Sequence, residues 1–315
     1  MQTDLTSIIL QLLVLFFLMA VGYSLKYGKK ISTEFDRKLS YVVLNVTMPC
    51  MILSSVLNAT ELPERGQLLF AFGIAVVTYA VLVVLALVAV RAMRVPKGHR
   101  GVYYFMSVFG NVGFVGFPVL SAVFGDQAIV YAAIFNIPFN LLVFTLGVYW
   151  LMSDGEQKGG KVPISVKMFV TPCNAACVII IVLCLLGIKD VPFFSKATQT
   201  LGNMTTPAAL IIIGSTLANT PVKELLGGVK PYLLAFVRLV FMPLAVWFVF
   251  HFFVADPLML GIMVVVSGMP VATNGTLLCF QYGGDVKAMS QGTFITTVLS
   301  FITTPLLAVF LTAVS

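Results

Sequence analysis

Residues 66 to 90 read GQLLFAFGIAVVTYAVLVVLALVAV, twenty-five consecutive positions without a charge. At 1.5 Å per residue a helix of that length exceeds the hydrocarbon core of a bilayer, about 30 Å thick. Lipid offers no hydrogen bonds to the backbone, so only helices and closed barrels can span it. Apolar runs this long and unbroken suit helices and not alternating barrel strands. Similar runs recur along the chain, and charged residues make up 10% of it, against roughly 25% in soluble domains. The pattern predicts an all-α polytopic membrane protein. Ten spans are expected, at about 5–25, 39–58, 68–92, 102–124, 128–152, 164–187, 201–219, 231–254, 257–280 and 291–312.

The basic residues orient these spans. Fifteen of the nineteen Lys and Arg fall in odd-numbered loops and three in even-numbered ones, which leaves Arg238 inside a span. Because Lys and Arg concentrate on the cytoplasmic side, the odd loops are cytoplasmic and both termini lie outside. The net charge of +7 therefore has a topological explanation and implies no nucleic-acid partner. The localisation that follows is a multi-pass protein of the cytoplasmic (inner) membrane, with the lipid bilayer as its constant partner.

Two short matches suggest duplication: NVTMP at 45–49 with NMTTP at 203–207, and GFPV at 116–119 with GMPV at 268–271. Each unit holds five helices, an odd number, so the second copy enters the membrane inverted, as in many transporters. The expected organisation is a first repeat at 1–152, a cytoplasmic linker at 153–163 and a second repeat at 164–315. The stretch SDGEQKGGK, from Ser153 to Lys161, supplies the polar, glycine-rich character of that linker.

Helices four and nine carry breakers in matching places. Pro118 with Gly113 and Gly116 is expected to break the fourth, and Pro270 with Gly268 and Gly275 the ninth. Backbone freed by a break near mid-membrane must be satisfied by protein, water or ligand, and half-helix N-termini suit anions. Glycines every three residues, as at Gly110, Gly113 and Gly116, also mark close helix packing. The paired break and the amides Asn111 and Asn274 favour a substrate site. Arg238 either snorkels to the cytoplasmic interface or faces the bundle interior, where it favours an anion.

All twelve acids fall in expected loops, termini or helix ends, which argues against a cation or proton relay through buried carboxylates. The five cysteines lie in apolar spans and read as small packing residues, not a metal site. Neither HExxH, GxSxG nor GxxxxGK[ST] occurs, so no enzyme chemistry, cofactor or metal is expected.

The segments GNVGFVGFPV, NVTMPCMILSSV and GMPVATNGTLLCFQYGGD, followed by TFITTVLSFITTPL, resemble the auxin efflux carrier family over essentially the whole chain. That family includes plant auxin exporters and bacterial carboxylate carriers, and the short central loop is similar to that of the bacterial members. The resemblance implies two inverted five-helix repeats, as in bile acid symporters and sodium/proton antiporters. Helices 1, 2, 6 and 7 would form a scaffold that also makes a homodimer. Helices 3–5 and 8–10 would form a moving transport domain with helices 4 and 9 crossing in it. It implies substrate contacts at Asn111, Gly113, Gly116 and Pro118 in the first crossover and at Pro270, Thr273 and Asn274 in the second, beside which Gly268 is a further candidate from the break itself. Phe117 and Val119 flank Pro118 where the plant exporters have a second asparagine nearby, which speaks against auxin itself. The expected function is transport of a small organic anion by alternating access, as an elevator. The rivals are a sodium- or proton-coupled symporter of the same fold and an anion-binding membrane sensor.

Overall fold

The computed structural model describes residues 5–59, 62–154, 170–218, 227–282 and 284–314, and its regular elements there are helices apart from one isolated two-residue bridge. In chain order they are α1 (Leu5–Tyr27), α2 (Thr33–Leu57), α3 (Arg65–Ala92), α4 (Arg100–Val108), α5 (Val112–Phe124), α6 (Gln127–Asp154), α7 (Pro172–Leu186), α8 (Pro192–Ala218), α9 (Lys230–Phe250), α10 (Pro257–Ser267), α11 (Gly275–Tyr282) and α12 (Val286–Val314). Among the described residues six of these, α2, α3, α6, α8, α9 and α12, contain stretches long and apolar enough to cross a membrane.

Helix α2 begins six residues earlier than expected. Ser32 accepts a hydrogen bond from the Phe35 N–H, and Glu34 and Asp36 occupy the first turn, where negative charge suits the helix dipole. The expected fourth helix is two helices, α4 and α5, and the expected ninth is α10 and α11. The fourth breaks at Phe109–Asn111 and not at Pro118, which lies in the first turn of the α-helical part of α5. Inside α5 the missing N–H of Pro118 is accommodated by the wider turn that precedes it, so this proline does not end the helix. Most of the expected 153–163 linker lies outside the described residues, and Ser153 and Asp154 still belong to α6.

Three prolines act by widening the turn before them. Turns of π geometry at Val43–Thr47, Val112–Gly116 and Val237–Phe241 each end two residues before a proline, Pro49, Pro118 and Pro243, while a further one at Val143–Gly147 in α6 does not. Proline cannot donate to the carbonyl four residues back, and a bond spanning five residues takes up the slack, as from Met48 N–H to Val43 O and from Met242 N–H to Val237 O.

The chain divides into two compact units. The first comprises Met1–Gly73, Gly113–Ile137 and Val170–Thr220. Here α1 docks on the second part of α8 (Thr205–Ala218), and Met48–Leu57 of α2 lies between α7 and the first part of α8. The contacts are close because glycines sit in them. A Cβ on Gly22 would run into the Ile211 carbonyl, and one on Gly214 into that of Met19. At one end of the unit Lys26 Nζ lies 2.7 Å from Asp36 Oδ2, and Ser215 Oγ donates to Asp36 Oδ1 at 2.7 Å, tying α1, α2 and α8 together. All five cysteines are free, and Cys177, Cys184 and Cys279 are buried.

The second unit comprises Ile74–Val112, Pro138–Phe169 and Pro221–Ser315. Helix α9 packs on α12 through Ala235, Leu239 and Ile295. Phe109 anchors an aromatic cluster with Phe105, Phe139 and Trp150. The broken segments after α4 and α10 meet inside this unit.

Candidate functional site

Helix α4 ends at Val108, where the backbone turns extended at Phe109 (φ −100°, ψ 106°). Gly110 then pairs antiparallel with Val271, in the stretch between α10 and α11. The Asn111 N–H donates to Pro270 O at 2.7 Å, and the Ala272 N–H donates to Phe109 O at 3.1 Å. The Val271 N–H donates to Thr296 Oγ1 at 3.1 Å, and that hydroxyl donates to Gly292 O at 2.7 Å. Phe109, Met269, Val271 and Thr296 are fully buried. Two irregular segments at the centre of an apolar helical unit thus satisfy each other and α12, which meets the requirement that lipid-depth backbone be hydrogen-bonded. No carboxylate occurs in either segment.

Arg238 reaches this crossing from the π-turn of α9 and is 1% exposed, so it does not snorkel. Its Nε donates to Met269 O at 2.8 Å, and its Nη1 donates to Ser107 O at 2.9 Å and Val108 O at 3.0 Å. Its Nη2 donates to Val266 O at 3.4 Å. These carbonyls close α4 and α10 or follow directly on them. A Cβ on Gly110 would run into Nη2, so only glycine fits beside the guanidinium.

The other expected residues fall into two groups. In the second unit, Gly268 faces Pro243 and Leu307, and an added Cβ would approach Leu307 to 2.8 Å. Pro270 is buried and supplies the carbonyl for Asn111, and Asn111 is itself 5% exposed. Thr273 is half-buried and Asn274 exposed. Asn274 precedes α11 and accepts the Leu278 N–H at 3.0 Å, the position of an N-cap. The structure brings together Asn111, Pro270 and Arg238 through backbone groups and leaves Thr273 and Asn274 accessible at the start of α11. In the first unit, Gly116 and Pro118 are buried, and a Cβ on Gly113 would lie 3.5 Å from Met48 Cε.

From sequence alone Gly110 has only a packing role, and nothing connects Thr296 with the crossing. A glycine beside an asparagine in a broken run is the available signal for the first. A threonine on an apolar helix carries no such signal for the second.

A family model described as "Membrane transport protein" matches residues 7–308. A transporter of Methanocaldococcus jannaschii without assigned substrate is 24% identical over 92% of this chain and 94% of its own length. One of Methanothermobacter thermautotrophicus is 25% identical over 97% and 98%. A protein of Rhizobium meliloti, provisionally named a malonate transporter, is 23% identical over 84% and 83%. With spanning helices, a broken-helix crossing and a family match over nearly its whole length, this chain belongs to the membrane transport protein family, that of the auxin efflux carriers, and is a multi-pass membrane transporter and not an enzyme.

Proposed function

We propose that the protein carries a small carboxylate across the cytoplasmic membrane by alternating access, with the anion held at the start of α11. The observation that carries this reading is the crossing itself. It presents irregular backbone, amides and a helix N-terminus with accessible Thr273 and Asn274, and no carboxylate. A helix N-terminus stabilises negative charge through its N–H groups and dipole. The name of the Rhizobium relative makes malonate the first substrate to try.

Ten crossings in two inverted five-helix repeats accommodate the helices, with α4–α5 and α10–α11 as the broken fourth and ninth and both termini outside. The expected scaffold helices α1, α2, α7 and α8 fall in one compact unit and α9 to α12 in the other. Helix α5 falls with the scaffold, and α3 and α6 are divided between the two, so the elevator rests on the family resemblance more than on this division. The scaffold would also form the homodimer interface. An inside-negative potential of 100 mV favours export of a monovalent anion by about 2.3 kcal/mol, so uniport out of the cell needs no coupled ion.

Asn274→Asp tests the site. Aspartate caps a helix as well as asparagine does, so melting should be unchanged, while a negative charge beside the bound carboxylate should weaken malonate binding by at least about tenfold. Malonate-dependent thermal shift and counterflow of labelled malonate in proteoliposomes measure this. Unchanged affinity would place the site elsewhere.

A further inference from the structure

We propose that Arg238 sets the charge selectivity of the crossing without touching the substrate, by neutralising the carbonyl ends of α4 and α10 that it holds together. The role rests on the carboxylate reading above. Each helix C-terminus carries roughly half a negative charge, and the two ends bracketed by the guanidinium together amount to about one. Arg238 spans both, through Ser107 and Val108 on one side and Val266 and Met269 on the other.

Two observations separate this role from that of a ligand. Donors from all three guanidinium nitrogens are engaged by carbonyls, and the residue is buried against Gly110, so a substrate has no approach to it. Among the described residues, no carboxylate forms an ion pair with it. A cation at membrane depth is costly and needs compensation, and here the compensation is the pair of helix ends. With those ends neutralised, the N–H groups at the start of α11 are left to set the sign of the field that a substrate meets. Without the guanidinium the same crossing is negative and repels anions. Lysine would keep the charge but lacks the planar fork that reaches several carbonyls at once.

A field acts in proportion to ligand charge, whereas a lost contact or a loosened fold does not. Binding of malonate, with two charges, and of its monomethyl ester, with one, should therefore be measured on the full-length protein and its variants. For Arg238→Gln the affinity should fall on the order of tenfold per unit of ligand charge, hence about a hundredfold for malonate and tenfold for the ester. Arg238→Lys should keep the unaltered protein's ratio of malonate to ester affinity while melting at a lower temperature. Equal losses for the two ligands in the Gln variant would overturn the proposal. If that variant does not fold, the Lys variant decides: a preserved ratio supports the role and a collapsed ratio overturns it. Failure of the unaltered protein to bind either ligand would overturn the carboxylate reading, and this role with it, before Arg238 is altered.

Discussion

Leucine in place of Gly214 is expected to yield no monodisperse protein. The α-carbon of Gly214 lies so close to α1 that a single added Cβ meets the Met19 carbonyl, and Gly22 repeats the arrangement against Ile211. A leucine there forces the two backbones apart along the whole contact, stripping the first unit of its closest helix pair. In lipid the loss is severe, because apolar side chains gain nothing by leaving the bilayer and association depends on close fit. The cost should exceed about 4 kcal/mol, the range reserved for disrupted cores. Size-exclusion chromatography in detergent measures it, with Gly73→Leu as the comparison, since nothing lies within 4 Å of a Cβ at Gly73. A normal elution profile for Gly214→Leu would refute the close docking of α1 on α8.

Asp36→Ala should be the next most damaging change. Lys26 and Asp36 side chains are 7% and 10% exposed, and Asp36 also accepts from Ser215. Removing the carboxylate strands the ammonium with only the Thr33 hydroxyl, 3.2 Å away. Breaking a buried pair in this way costs about 3–5 kcal/mol, whereas replacing both partners by apolar residues is often neutral. A melting curve should therefore show a large drop for the single variant and recovery for Lys26→Met with Asp36→Leu. A double variant no more stable than the single one would show that the charge itself, and not its desolvation, holds α1, α2 and α8 together.

Much of this architecture is legible from the chain alone, because lipid makes the rules strict. A run such as 66–90 permits little except a spanning helix, and glycine and proline inside two such runs announce which two helices are broken. What cannot be read is which groups close the gap. Pro118 is the most conspicuous breaker, yet the break falls at Phe109–Asn111, where the backbone pairs with the segment around Val271. Lys26 and Asp36 look like ordinary loop charges, and only the convergence of three helices buries them. Arg238 is ambiguous in the sequence because its environment depends on which face of α9 it occupies. The π-turn before Pro243 determines that face, and local residue preference does not reveal it.

Those π-turns also bear on how this chain can change length. Each is an α-helical turn holding one surplus residue, so deleting a residue there leaves the helix beyond in nearly the same register and recasts only the turn itself. In α2 and α5 the turn carries no charged side chain. In α9 the turn carries Arg238 itself, and a shortened turn would swing the guanidinium away from the carbonyl ends it bridges. Insertions and deletions that look equally silent in helical content are thus unequal in consequence, and α9 is the helix whose length is tied to its charge.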